Sequence, residues 1–322
     1  MDNDALMLQV TAARTLTPHI RELELRSRDG APLPRFDAGA HLRFTLPGPQ
    51  GAIERCYSLI NATEQTGFYR IAVQRAQASA GGSAYMCEEV RVGTVLRACA
   101  PKNDFALAAD ATQHLLLAGG IGITPIIAMA QVLADAGQSF ELHYVARTPE
   151  NMAYAQWLHT AYDDRAHLYF DGGDPSQGMP LGTLLAQPHP GVHVYVCGPQ
   201  PMIDAVLATG EALGWPRSQL HFELFSAPAV KADDAPFEVE LARSHRRLQV
   251  GQSTSILDTL IAAGLDPLFD CRRGECGACA VPVLDGVPEH LDYALTPEQK
   301  AGNKTMCICV SRARSARLVL DI

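Results

Sequence analysis

A chain of 322 residues with 47% hydrophobic and 19% charged side chains has material for packed cores, is too apolar for extended disorder, and is long enough for two or three domains, of which three are expected. Its formal net charge of -9 removes the electrostatic basis for general nucleic-acid binding, which depends on clustered cations facing phosphates. With no run of about 18 apolar residues and no signal-like amino terminus, no membrane association and a cytoplasmic location are expected, where nine cysteines point to metal binding or catalysis rather than disulfides.

In chain order, the first ~105 residues show short alternating runs split by Gly and Pro, such as His41-Leu42-Arg43-Phe44-Thr45-Leu46 and Phe68 to Val73, which predict a small antiparallel β-barrel over 1–106. From Gln113 apolar strands alternate with helical stretches: 114–119, 141–146, 167–171, 193–198 and 220–225, with helices over 125–136, 150–162 and 201–213. That order predicts an α/β domain with a parallel sheet over 107–227. The polar, Pro-containing stretch between Ser226 and Pro236 reads as a linker, placed at 228–236. The remainder, 237–322, opens with a hairpin pattern and a short amphipathic helix closed by Gly264.

Cys271, Cys276 and Cys279 stand in C-x4-C-x2-C spacing, with Cys309 following. That is the ligand spacing of a plant-type 2Fe-2S cluster, whereas a four-cysteine zinc site favours two short pairs and only one is present. Cys307 and Cys309 remain alternatives for the fourth ligand, with Cys309 preferred. Gly274 and Gly277 suit a loop that turns tightly and aims backbone N–H groups at sulfur. Arg272 and Arg273 inside the loop, and Arg312, Arg314 and Arg317 beyond it, are either a docking surface for an acidic partner or a plain solvated face.

The stretch LLLAGGIGITP runs a buried strand into Gly119, Gly120 and Gly122, with Thr124 expected as helix N-cap and Pro125 as first helical residue, an arrangement that accepts a pyrophosphate. Cys197-Gly198-Pro199 occupies the same kind of position at the end of another strand, the edge where open α/β sheets bind ligands. Asp171 is either an acceptor for an adenosine ribose hydroxyl, favouring NADH, or an ordinary turn aspartate, and Arg147 pulls towards NADPH. Cys197 itself reads equally as a small buried residue, and Cys56, Cys87 and Cys99 are expected in cores. The eleven histidines show no metal-ligand spacing such as H-x3-H. In the barrel, Arg55, Tyr57 and Ser58, followed by Gly81-Gly82-Ser83, offer a cation, a ring, a hydroxyl and an anion nest.

Taken in order, RCYS, GGS, GGIGITP, CGPQPM and C-x4-C-x2-C resemble the phthalate dioxygenase reductase family across essentially the whole chain. The resemblance implies flavin, nicotinamide and β-grasp ferredoxin domains in this order, with FMN as the flavin. It implies that Arg55 and Ser83 contact the flavin phosphate, that Gly81 and Gly82 let backbone approach it, that Tyr57 packs on the isoalloxazine, and that Ser58 bonds near its reactive nitrogen. Thr124 and Cys197 would border the nicotinamide, and Phe225 would lie near the flavin ring, so Ser58, Thr124, Cys197 and Phe225 are the residues expected around the hydride transfer. Relatives often carry Arg before Gly-Gly-Ser; here Ala80 and Gly81 precede Gly82, which shifts phosphate compensation to Arg55 or Arg75. The implied role is an NADH-dependent reductase, a monomer, that passes electrons to a separate Rieske-type aromatic oxygenase. The alternatives are a reductase for a cytochrome P450 or di-iron monooxygenase, and a non-catalytic iron-sulfur carrier.

Overall fold

Period-two alternation puts one face of each early strand into a core and the other into water. In the computed structural model, which describes residues 5–49, 51–76, 81–228 and 234–322, these strands are β1 (Leu6–Thr17), β2 (Ile20–Ser27), β3 (Ala40–Gly48), β4 (Gly51–Ser58), β5 (Tyr69–Gln74), β6 (Val95–Ala98) and β7 (Lys102–Asn103). Their order is β4-β3-β6-β1-β2-β5, with β7 beside β3. A bridge between Leu59 and Ile71 joins the two ends of that order, closing a barrel filled by Leu23, Leu25, Leu42, Phe44 and Ile71 among others. Helix α1 (Gly82–Glu88) packs on β3 and β5. Two of the three cysteines expected in cores are not there. Cys56 and Cys99 are exposed and Cys87 is half-buried; on β4 the alternation turns Ala52, Glu54 and Cys56 outward.

The next stretch builds a parallel sheet from β8 (Gln113–Gly119), β9 (Ser139–Ala146), β10 (Ala166–Phe170), β11 (Val192–Cys197) and β12 (Leu220–Glu223), in the order β10-β9-β8-β11-β12. Helices α2 (Ile123–Asp135), α3 (Ala155–Tyr162), α4 (Leu181–Leu184) and α5 (Gln200–Ala212) lie between these strands in sequence. The expected helix over 150–162 is shorter than the pattern suggests. A 3-10 turn at Pro149–Asn151 precedes Tyr154, whose φ of 64° breaks the helix, and whose hydroxyl donates to Glu22 Oε2 at 2.7 Å. That long-range bond holds the chain out of helical geometry. Thr124 is not the N-cap of α2. Gly120–Gly122 form a 3-10 turn that starts the helix at Ile123, and Thr124 Oγ1 donates to the Ile121 carbonyl at 2.9 Å. Pro125 therefore sits third in the helix, where its missing N–H still costs nothing.

Met1–Glu223 form one compact unit and Leu224–Ile322 a second. The second contains β13 (Phe237–Leu241), β14 (Arg246–Val250), β15 (Ala280–Asp285), β16 (Pro288–Glu289), β17 (Thr305–Cys307), β18 (Arg312–Ala313) and β19 (Arg317–Leu320), with α6 (Ile256–Ala262) and α7 (Pro297–Gly302). Its sheet runs β14-β13-β19-β15-β17, with β13 and β19 parallel and the other pairs antiparallel. The fold is thus an antiparallel barrel, a parallel α/β sheet and a ferredoxin-type α+β domain. Residues 229–233 of the expected linker, and Ala80, lie outside the described residues. Among those described, no helix is long and apolar enough to cross a membrane.

The parallel sheet buries several imidazoles. His193 Nδ1 lies 2.8 Å from His221 Nε2 with the rings stacked, and burial, then His193 and Arg217, push His221 down from 6.5 to about 4. The unfolded chain binds the proton that the fold refuses, so this contribution to stability is complete above pH 6.5 and is lost as pH falls towards 4. Allowing for partial solvent screening, His221→Asn should remove about 1–2 kcal/mol of that acid destabilisation. Urea midpoints at pH 7.5 and 5 measure it; an unchanged difference between the two pH values would contradict the assignment.

Candidate functional site

Within the second unit the cysteine loop joins α6 to β15. Among its first three cysteines, Arg272, Gly274 and Gly277 take left-handed conformations, at φ 56°, 80° and 71°. A Cβ on Gly274 would stand 2.7 Å from Val310 Cγ2, so this turn needs glycine for space as well as for φ. The turns direct backbone N–H groups at sulfur. Arg273 N lies 3.3 Å from Cys271 Sγ, Cys276 receives N–H groups of Cys271 and Ala278, and Cys309 receives that of Gly274. Cys279 is held down to about 3 by thiol donors, first Cys307 and then Cys309, so the sulfurs of Cys307 and Cys309 both lie within hydrogen-bond reach of Cys279. This donor set fits a 2Fe-2S cluster, and Cys276 reaches the surface while Cys279 and Cys309 are buried.

Four of the five arginines around the loop are paired or buried, and Arg314 is exposed. Arg272 pairs with Asp258 at 2.9 Å and lies over the Phe269 ring; Arg273 pairs with Glu275 at 3.0 Å. Arg312 is buried, bonded to the carbonyls of Thr254, Ala235 and Gly251, and Arg317 is paired with Glu240 and Asp285.

In the first unit, strand order reverses between β8 and β11, and the two glycine loops leave the sheet at that switch point, where open α/β sheets bind nucleotides. The loops clasp each other. A Cβ on Gly122 would stand 2.2 Å from the Cys197 carbonyl oxygen, one on Gly119 2.6 Å from Met202 Sδ, and one on Gly198 3.1 Å from Gly119. Gly122 and Gly198 are therefore packing glycines, while Gly120, at φ 55° with open space around it, is the one that presents backbone outward. Thr124 and Cys197 are both buried. At the end of β10, Asp171 Oδ1 accepts from Gly173 N at 2.8 Å, and Gly172 N donates to the Arg147 carbonyl. One carboxylate oxygen of Asp171 thus serves the turn, while the second lies outside that bond.

On the barrel, Arg55 packs over Gly82, where a Cβ would meet its Cγ at 2.7 Å. Its guanidinium donates to the Glu54 carbonyl and has no carboxylate partner among the described residues. Arg75 pairs with Glu88 instead, so of these two arginines Arg55 is the one without a carboxylate partner among the described residues. Ser83 Oγ accepts from Ala76 N at 3.1 Å, and Gly81 takes φ 103°. The Tyr57 hydroxyl is buried without a hydrogen-bond partner, and burial raises its pKa strongly. Such an orphan costs stability unless a ligand satisfies it, and it fits a ring-packing flavin contact. Ser58 is buried opposite His41, whose Nδ1 lies 3.9 Å from the buried Glu223. Neither His41 nor Glu223 stood out in the sequence; the signal was an ionisable residue in each of two apolar strands. Phe225 is exposed in the second unit.

The profile of the 2Fe-2S iron-sulfur cluster binding domain matches residues 239–314, and that of the dimethylamine monooxygenase subunit DmmA-like N-terminal domain matches 95–220. Over 315 residues the chain is 41% identical to vanillate O-demethylase oxidoreductase of a Pseudomonas sp., covering 97% of this chain and 98% of that protein. The structure of phthalate dioxygenase reductase, described as a modular structure for electron transfer from pyridine nucleotides to 2Fe-2S, is 34% identical, with TM-score 0.77 and coverage of 100% of this chain and 99% of that one. The chain belongs to the phthalate dioxygenase reductase family. Similarity within this reductase family extends to the carnitine monooxygenase reductase subunit of Acinetobacter baumannii, at 36% identity over 97% of this chain and 96% of that protein. The chain is accordingly a flavin- and 2Fe-2S-dependent electron-transfer oxidoreductase that uses NAD(H), the reductase component of an oxygenase system.

Proposed function

We propose that this reductase takes electrons from NADH and delivers them to a Rieske-type aromatic oxygenase, with FMN in 1–106, nicotinamide on 107–227 and the cluster in 237–322, joined by 228–236 and acting as a monomer. One observation carries the reading: a nucleotide edge for a two-electron donor and a four-sulfur site for a one-electron carrier occur in one polypeptide. Bound flavin supplies the conversion between them, because it is stable at three oxidation levels. Arg55 holds its phosphate, with Gly81, Gly82 and Ser83 shaping the cradle. Tyr57 and Ser58 face the ring. Gly120 and the N-terminal turn of α2 hold the pyrophosphate, with Gly122, Thr124, Cys197 and Gly198 forming the floor beside the nicotinamide. Asp171 accepts from a ribose hydroxyl and repels a 2'-phosphate. Cys271, Cys276, Cys279 and Cys309 ligate the irons, Cys309 being supported over Cys307 by the Gly274 N–H on its sulfur.

Purified protein should reduce cytochrome c with NADH, and with NADPH at least about tenfold less efficiently, a difference of ~1.4 kcal/mol. It should also sustain turnover of a Rieske oxygenase. A preparation holding flavin and iron that passes no electrons from NADH would falsify the reading. Arg55→Ala should weaken flavin retention by roughly 1.5–3 kcal/mol, as for other charge-assisted contacts; unchanged FMN content after gel filtration would remove Arg55 from the phosphate site.

A further inference from the structure

Phe140, Leu142 and Tyr144 of β9 pack on the α2 side of the parallel sheet, so Glu141 and His143 lie on the opposite face. There the register sets His143 directly beside His167 of β10. One ligand atom from each of Glu141, His143 and His167 lies within 4.8 Å of the other two. His143 is 3% exposed, with Nε2 3.4 Å from Glu141 Oε2 and Nδ1 2.9 Å from the Tyr169 hydroxyl. Glu141 is exposed and His167 half-buried, which leaves one side of the cluster open to solvent.

We propose that Glu141, His143 and His167 form a site for a divalent transition ion, zinc in the first instance, separate from the electron path. Two imidazoles and one carboxylate with an open fourth position make a recurrent zinc ligand set. Tyr169 supplies the outer contact that such sites use to fix a histidine: with the proton on Nδ1 and donated to the Tyr169 oxygen, Nε2 is free to bind metal. Binding then needs only a tautomer exchange on His143, with no net proton released from it. The two rings stack at 4.6 Å and 18°, so their lone pairs lie in nearly parallel planes. His167, the half-buried partner, turns to converge on the ion. An occupied site ties β10, an edge strand with β9 as its neighbour in the sheet, to the body of the sheet just upstream of Asp171.

The test uses the protein with flavin and cluster loaded, equilibrated with zinc or, as control, magnesium, followed by metal analysis and a binding isotherm. The cluster's visible absorption monitors that zinc has not displaced iron. The expected result is about one zinc per chain beyond the irons, with no competition from magnesium. Affinity should fall at least about tenfold in His167→Ala, Glu141→Gln and Tyr169→Phe, and stay unchanged in the exposed His245→Ala. Failure of the wild type to retain stoichiometric zinc, or retention undiminished in His167→Ala, overturns the proposal.

Discussion

Cys276→Ser is expected to abolish the visible absorption of the cluster and the reduction of cytochrome c, while NADH still reduces the bound flavin at close to the normal rate. Two features carry this expectation. Cys276 is the middle cysteine of the C-x4-C-x2-C set and receives two backbone N–H groups, and among the four expected ligands it is the one that is exposed. Flavin reduction should survive because no residue assigned to the hydride step lies in the cysteine loop. Absorbance spectra, iron analysis and stopped-flow reduction by NADH distinguish the two halves; an unaltered cluster spectrum would reject Cys276 as a ligand.

Gly122→Ala should have the second large effect, at the opposite end of the electron path. Its added Cβ would stand 2.2 Å from the Cys197 carbonyl oxygen, which is backbone and cannot rotate away. The two loops at the switch point must separate, at a cost of roughly 1–3 kcal/mol in stability as for other overpacked sites. A displacement on the order of 1 Å at a hydride-transfer site costs about 100-fold in rate. NADH should therefore reduce the flavin far more slowly in this variant, with the cluster spectrum unchanged. Gly120→Ala is the internal comparison: nothing lies within 4 Å of its Cβ, and its penalty is the local strain of φ 55°, about 1 kcal/mol. Equal rates in Gly122→Ala and wild type would remove the clasp from the account of nicotinamide binding.

The three architectures were legible because period-two runs, strand-helix alternation and cysteine spacing are local signals. Strand and helix positions followed from the same patterns to within a few residues, with Tyr154 as the informative exception. Its left-handed conformation is sustained by Glu22, more than a hundred positions away, and no local propensity encodes that. The glycine loop was visible as a strand-to-helix turn, but its internal division of labour was not. Gly120 supplies φ, Gly122 supplies room for Cys197, and Thr124 turns its hydroxyl back on Ile121. Sequence distance also hid Glu141, His143 and His167, since their meeting depends on a parallel register between β9 and β10. The arginines around the cysteines were visible as charge, and the partner of Arg272 was not, because Asp258 lies on α6, outside the cysteine loop.

Those neutralised arginines bear on how an acceptor protein finds the cluster. With Arg272 on Asp258 and Arg273 on Glu275, neither arginine adds free positive charge to the rim of the loop, and the fields of such close pairs fade within a Debye length of about 8 Å at physiological salt. Encounter should therefore run at the unsteered rate of about 10^5–10^6 per molar per second, and change little as salt is raised. Selection among acceptors then rests on shape and apolar fit at the rim, where Leu268 and Phe269 stand exposed beside Cys271.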